Sequence, residues 1–411
     1  MPGNLTLEPT RQISRRLTTP EYYHACIGES NRTIEPPREA IFVLTGEGHV
    51  APETWRGALD AVAEANPGLR LRIVGSRMGT RWQSDGLTTP VRVVADPQWD
   101  GQSEEGSAFI YETRLNLHAG PATELIIAPQ ASGRTLVIFR ALHAVMDGRG
   151  VRHFLYELFR ALRGEPLLGT NVAFGDADLM KEVGPSHSTS RHVPSVALTG
   201  GQRGALQGDT WRRLTFPLPQ HDILARTASA MAAYAHRHAN GTALIAVPVD
   251  LRRHMPAIQS TLNFSSMLLV PMQPGDGPDV FKRGLRNMLE QKMEARYPRL
   301  LDWVRLLPLP WLDALVSRTP RNYVNKRLME TVLISNLGVF DLGTMHGAGF
   351  STDNIFCLPL GGNACCVLAG TDRHVEMTVC LSQVLASDGR MDDLIRFLRE
   401  SLSVNPDKSS A

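Results

Sequence analysis

Between Thr135 and Glu165 (TLVIFRALHAVMDGRGVRHFLYELFRALRGE) the pattern of apolar and polar positions changes period once. In its first part Val137, Phe139, Ala141 and His143 alternate onto one face, while Leu136, Ile138 and Leu142 take the other. A strand apolar on both faces is expected to lie inside a sheet. Beyond it Val151, Phe154, Leu155, Leu158, Phe159 and Leu162 recur at the spacing of one helix face, which predicts an amphipathic helix. Asp147-Gly148 separates the two periods. This dipeptide favours a tight turn, because Gly accepts positive φ and Asp bonds back to nearby backbone. His143 is thus expected at the end of a buried strand, with Asp147 in the turn that follows.

Ahead of this unit, Arg16–Tyr23 reads as a short lead-in and Ala40–Leu44 as a strand. Pro52–Ala65 reads as a helix, with Pro and Glu in a first turn that tolerates a missing donor and favours negative charge. Asn66-Pro67-Gly68 stops it. Leu69–Val74, Arg81–Gln83 and Val91–Val94 follow as short strands, and Glu104–Leu117 as a helix. Thr123–Ala128 and Thr135–Leu142 form a hairpin-like pair around Ser132-Gly133. From Thr170 to Gly208 the periodicity fades and Gly, Ser, Thr, His and Pro accumulate, as in a linker or crossing loop.

The second half opens with a strand after Trp211 and a helix over Gln220–Arg237. Ala243–Val249 and Asn263–Met272 read as strands; Val280–Arg296, Leu301–Val316 and Arg321–Arg327 read as helices. Four strands are then expected, over Thr331–Ser335, Ile355–Leu360, Ala364–Gly370 and Val375–Leu381, before a closing helix over Arg390–Leu402. The whole is mixed α/β of the α+β kind. It divides into a first lobe over 1–170, a linker or crossover over 171–208 and a second lobe over 209–411.

Composition narrows the class. The 411 residues are comfortable for two domains of about 200 each. With 43% hydrophobic and 20% charged residues the chain is globular. A net charge of +2 argues against a polyanionic partner, so nucleic acid is not expected. The five cysteines, Cys26, Cys357, Cys365, Cys366 and Cys380, show no zinc spacing, which suits reduced, buried thiols and no metal site. No apolar run reaches membrane-spanning length and the N-terminus lacks a signal core, so a cytoplasmic protein is expected.

The candidate chemistry lies in the opening stretch. Histidine is the side chain whose ordinary pKa falls near neutrality, so a sheltered His143 can accept and return a proton at working pH. A lone buried histidine is more often a satisfied core residue, and the strand, turn and helix around this one raise the functional reading above that. Other histidines, His153, His187, His192, His236 and His238, read as surface residues. The chain has no GxSxG elbow, Walker loop or strand-borne GxGxxG.

His143-Ala-Val-Met-Asp147-Gly148 resembles the HHxxxDG motif of the chloramphenicol-acetyltransferase-like superfamily, which includes the condensation domains of nonribosomal peptide synthetases and polyketide-associated acyltransferases. His143 matches the second, active histidine; Leu142 stands in place of the first. Further stretches agree in order: Arg16-Leu-Thr-Thr-Pro-Glu21, Asn66-Pro-Gly-Leu-Arg-Leu-Arg72, Pro248-Val-Asp-Leu-Arg252 with Asn263-Phe264, Ile334-Ser-Asn-Leu-Gly338 and Leu381-Ser382. The resemblance covers nearly the whole chain.

The resemblance implies two lobes in a V with a channel between them and His143 midway. It implies a free-standing acyltransferase that moves an acyl group from a thioester to an amine or alcohol in a biosynthetic pathway, such as that of a nonribosomal peptide or polyketide. The donor would be carried by coenzyme A or by the phosphopantetheine of an acyl or peptidyl carrier protein, with no bound cofactor. Asp147 would be structural and pair with an arginine, for which Arg252 is the best candidate, and Gly148 would serve backbone geometry. Asn263, Ser335 and Asn336 would lie along the channel, although an ordinary loop residue and a strand-ending Ser-Asn turn explain them as well. A monomer is expected. The other reading is a non-catalytic docking module of the same fold, which would have no need of His143.

Overall fold

The computed structural model describes residues 5–30, 38–49, 51–184, 195–218, 221–297, 299–309, 311–312, 330–359 and 364–403. The chain begins with β1 (Ser14–Arg16), helix α1 (Thr19–Ser30), β2 (Glu39–Gly48) and α2 (Pro52–Ala65). Short strands β3 (Arg72–Val74), β4 (Arg81–Gln83) and β5 (Val91–Val93) precede the hairpin β6 (Thr123–Pro129) and β7 (Arg134–Leu142), then α3 (Gly148–Leu162) and α4 (Asp176–Val183). The second half runs β8 (Asp209–Pro217), α5 (Ile223–His236), β9 (Ala243–Asp250), β10 (Ser265–Met272) and α6 (Pro278–Glu290). It ends with β11 (Val332–Val339), β12 (His346–Gly347), β13 (Phe350–Leu358), β14 (Ala364–Gly370), β15 (His374–Ser382) and α7 (Arg390–Ser403).

Two six-stranded sheets organise the molecule, in the orders β12-β13-β2-β7-β6-β5 and β10-β9-β11-β14-β15-β8, with a small sheet β1-β4-β3 beside them. In β7 both faces are buried, as the run of apolar residues requires: Val137, Ile138 and Phe139 have no exposed surface. Helix α3 lays its predicted stripe on this strand, and the Phe139 and Phe154 rings stack with centroids 4.0 Å apart. Arg140 sits among these apolar residues, bonded to Glu39 and Glu124 on the flanking strands, so a buried charge is paired on both sides.

Strand residues 346–358 do not stay with the second sheet. β13 runs antiparallel to β2, with Ile355 opposite Leu44 and Cys357 opposite Phe42. Its Asp353 accepts from Arg134 and from the Thr45 hydroxyl. Without β13, β2 would present an open edge. The chain order of the lobes is therefore broken once, by a second-half hairpin that completes the first sheet.

Two expected helices differ from the structure, and a third is not among the described residues. Glu104–Leu117 is a 3-10 turn, Ser107–Tyr111, inside an irregular segment. Arg92 donates to the carbonyls of Phe109 and Ile110, which a helix would have kept for itself, while Glu104 turns away to accept from Trp211 N and the Thr210 hydroxyl. Arg299–Leu306 is likewise a 3-10 segment, and Arg321–Arg327 lies outside the described residues. In the opposite direction, the expected linker contains α4, whose Asp176 is buried against Thr18, and the lead-in 16–23 runs into α1. Cys357, Cys365, Cys366 and Cys380 are all buried. No helix among the described residues is long and apolar enough to cross a membrane.

Candidate active site

His143 follows β7 directly and is half-buried. Its backbone N–H donates to the Arg38 carbonyl at 2.9 Å, and Val145 N–H returns to the Leu142 carbonyl at 2.8 Å, so the chain reverses at this residue. Two elements far away in sequence hold the imidazole. From α1, the His24 ring stacks on it at 5.1 Å between centroids and 19° between planes. From the loop before β10, the Asn263 amide nitrogen donates to the His143 carbonyl at 2.8 Å and lies 3.2 Å from Nδ1.

Asp147 does not reach this ring. As the N-cap of α3 its Oδ1 accepts from Gly150 N–H at 2.6 Å, which satisfies an orphan helix donor. Its Oδ2 accepts from Phe264 N–H at 2.6 Å and from Arg252 Nη1 at 3.0 Å. Arg252, buried like Asp147, also donates to Asp250 Oδ1 at 2.9 Å and to the Leu262 carbonyl at 2.5 Å, and lies over the Phe264 ring. Asp147 is therefore a brace between the start of α3 and the second-lobe segment 250–264.

The glycines beside it work by closeness. Gly148 does not adopt a left-handed backbone, contrary to the turn geometry expected from the sequence. A Cβ there would meet Leu337 Cδ2 of β11 at 2.5 Å, and one at Gly150 would lie 2.3 Å from the Thr261 carbonyl oxygen. Both let second-lobe segments press on the first turn of α3.

Burial pushes the His143 imidazole below its ordinary range, while its own carbonyl, Asp147 and the Met146 carbonyl pull the other way. His24 is pushed down to about 3, by burial first and then by His143 and Arg38. Burial thus favours the neutral form of both rings. Burial also opposes the Arg252 charge, and Asp147 with Asp250 outweighs it and leaves the guanidinium above its usual value.

The expected residues divide clearly. His143, Asp147, Gly148, Arg252 and Asn263 come together around one joint. Ser335 is half-buried in β11 opposite Val367, and Asn336 is exposed and accepts from Gly338 N–H at 3.1 Å; no hydrogen bond joins either to His143 among the described residues. His24 escaped sequence reasoning because nothing around it in a polar lead-in marks it. His153 is no surface residue: its Nε2 lies 3.2 Å from Asn66 Oδ1 and 3.1 Å from the Gly169 carbonyl, which fixes the loop after α3. His187 and His192 lie outside the described residues.

No protein-family model and no curated protein matches the sequence. Solved structures do match. The starter condensation domain of rhizomide synthetase, in complex with C8-CoA and Leu-SNAC, superposes with a TM-score of 0.67 at 16% identity, over 96% of this chain and 95% of that one. The first condensation domain of the calcium-dependent antibiotic synthetase, with a substrate analogue, gives 0.67 at 17% identity over 96% and 97%. The epimerization domain from the third module of tyrocidine synthetase B gives 0.59 at 15% identity over 96% and 97%. The likeness runs end to end and is one of fold: the chain carries the two-lobed chloramphenicol-acetyltransferase-like fold of the condensation domains.

Proposed function

We propose that the chain is a condensation-type acyltransferase that moves an acyl group from a thioester to an amine or alcohol, giving an amide or ester. The observation that carries this reading is the placement of His143. It is a half-buried imidazole at the joint of the two lobes, clamped by His24 and Asn263, while the neighbouring acid is fully engaged elsewhere. A fold whose solved neighbours include a starter condensation domain in complex with C8-CoA makes a coenzyme A thioester the first donor to try, and a carrier-bound phosphopantetheine thioester the second. In this reading donor and acceptor enter an interlobe channel from opposite sides and meet at His143, with Ser335 and Asn336 along the way. Aligning two bound reactants is worth about 7–11 kcal/mol. Proton help from a positioned imidazole adds roughly 10²–10⁴-fold, so the channel contributes more than the ring.

The test is mass spectrometry of products from acyl-CoA and acyl-carrier donors with a panel of amines and alcohols, comparing wild type with His143→Ala. A product that needs His143 is expected. Turnover undiminished in His143→Ala would refute the role of the ring, and no His143-dependent product from any donor would favour the docking module.

A further inference from the structure

The charges around His143 do not balance. Strands β2 and β7 pair Glu39 with Leu142, and one step further the His143 N–H donates to the Arg38 carbonyl at 2.9 Å, so Arg38 lies directly across the ladder from His143. Residues opposite one another in an antiparallel pair send their side chains to the same face, with Cβ atoms about 4.5–5.5 Å apart. Arg38 is half-buried, and its guanidinium, a group that stays charged, makes no hydrogen bond or ion pair among the described residues. Its charge reaches both stacked rings: burial is the main cause that lowers His143 and His24, and Arg38 adds to it in each.

The acids that could answer this charge are spent elsewhere. Glu39 lies on the opposite face of β2 and gives both oxygens to Arg140. Asp147 is committed to Gly150, Phe264 and Arg252. Glu330, just ahead of β11, feels Arg38 but forms no ion pair with it among the described residues, and burial holds its carboxyl above the ordinary range against that pull. The His143 Nε2 and both nitrogens of His24 also make no hydrogen bond among the described residues. The half-buried space beside His143 thus holds one permanent positive charge and free imidazole nitrogens, with no paired anion.

We propose that Arg38 binds a carboxylate of the substrate and so selects an acceptor that is an amino or hydroxy acid. This rests on His143 being the group at which the substrates meet. A guanidinium presents a planar fork that matches the two oxygens of a carboxylate. One such charge beside two rings kept toward the neutral form balances a monoanion, whereas a phosphate dianion would leave charge uncompensated in a half-buried place. A carboxylate held by Arg38 sits across one ladder step from His143, which brings the amine or hydroxyl of the same small acid to the ring. A carboxylate on the acyl chain of the donor would satisfy Arg38 by the same chemistry, and the test separates the two sources.

Titration calorimetry with product-like probes tests this without any turnover. N-octanoyl amino acids carry the carboxylate on the acceptor side, N-octanoyl amines carry none, and N-glutaryl amines carry it on the acyl side. Wild type should bind the N-octanoyl amino acids at least about tenfold more tightly than the matching N-octanoyl amines. In Arg38→Gln that ratio should fall close to one, and in Arg38→Lys, which keeps the charge and loses the fork, it should be intermediate. Equal or undetectable wild-type affinities would overturn the proposal, and so would a preference that survives in Arg38→Gln. An Arg38-dependent preference for the N-glutaryl amines alone would overturn the acceptor assignment and place the carboxylate on the donor. Absence of acyl transfer with the preference intact would count against the reaction alone and leave the carboxylate site standing.

Discussion

Replacing Asp147 by Ala removes three acceptor contacts at once: the cap on Gly150 N–H, the bond to Phe264 N–H and the pairing with Arg252. Asp147 is 3% exposed and Arg252 6%, so water cannot take over. Breaking a buried ion pair from one side costs about 3–5 kcal/mol, and the lost cap alone is worth about 1. The remaining partners of Arg252, Asp250 and the Leu262 carbonyl, keep the guanidinium partly satisfied, which favours the lower end, about 4 kcal/mol in all. At roughly 2.1 cal/mol/K per residue, 411 residues have an unfolding entropy of about 0.9 kcal/mol/K. If the lobes unfold together, Tm should fall by about 4–5 °C. Thermal scans of Asp147→Ala, Arg252→Met and the double variant measure this. The double variant should lose at least about 2 kcal/mol less than the two singles added, because neither Asp147 nor Arg252 is then left buried without the other. A loss under about 1 kcal/mol for Asp147→Ala, or singles that simply add, would refute the brace.

His143→Ala should keep its Tm within about 2 °C of wild type while turnover falls at least about 10²-fold, by mass-spectrometric product counting. Gly150→Ala should lower stability by about 1–3 kcal/mol or more, since its Cβ would meet the Thr261 backbone at 2.3 Å; Gly148→Ala should cost less, because the obstructing atom there is the end of the Leu337 side chain. Burial and Glu21 raise the Asp176 carboxyl to about 7. A carboxyl raised on folding gives stability that is complete below its unfolded pKa of about 4 and lost as pH rises through its folded value. Asp176→Asn, which mimics the neutral acid, should therefore fall less in Tm than wild type between pH 5 and pH 8 in parallel melts, and equal slopes would sink this reading.

What the chain reveals locally, it reveals well. The stripe of α3 and the two-sided burial of β7 follow from spacings of a few residues, and both are present; Asp147 bonds back to nearby backbone as its dipeptide suggests, but as a helix cap. The expected helix over Glu104–Leu117 failed because its carbonyls are bonded by Arg92, a partner that no periodicity marks. β13 was visible as a strand, but its pairing with β2, some three hundred residues earlier, depends on an edge that only the assembled sheet has. His24 stayed hidden for the same reason. Nothing in Tyr22-Tyr23-His24 announces an aromatic neighbour beyond position 140, whereas Asn263 stood out through its company, Asn263-Phe264 after Asp250 and Arg252.

The arrangement around Asp147 also says where His143 is most sensitive. The ring sits on a first-lobe strand, yet of its two holders one comes from α1 and the other from the second-lobe loop 260–265. That loop is pinned to the first lobe by Phe264 N–H on Asp147 and by Thr261 against Gly150, and it is pinned to Arg252 through the carbonyls of Ser260 and Leu262. A displacement of the loop must therefore move Asn263 relative to His143, while a change at Leu142, next to the ring in sequence, meets only the packed sheet interior. Substitutions in 260–265 should alter the titration of His143 more than those at Leu142 do. The relative position of the lobes, rather than the motif alone, then sets how the ring is held.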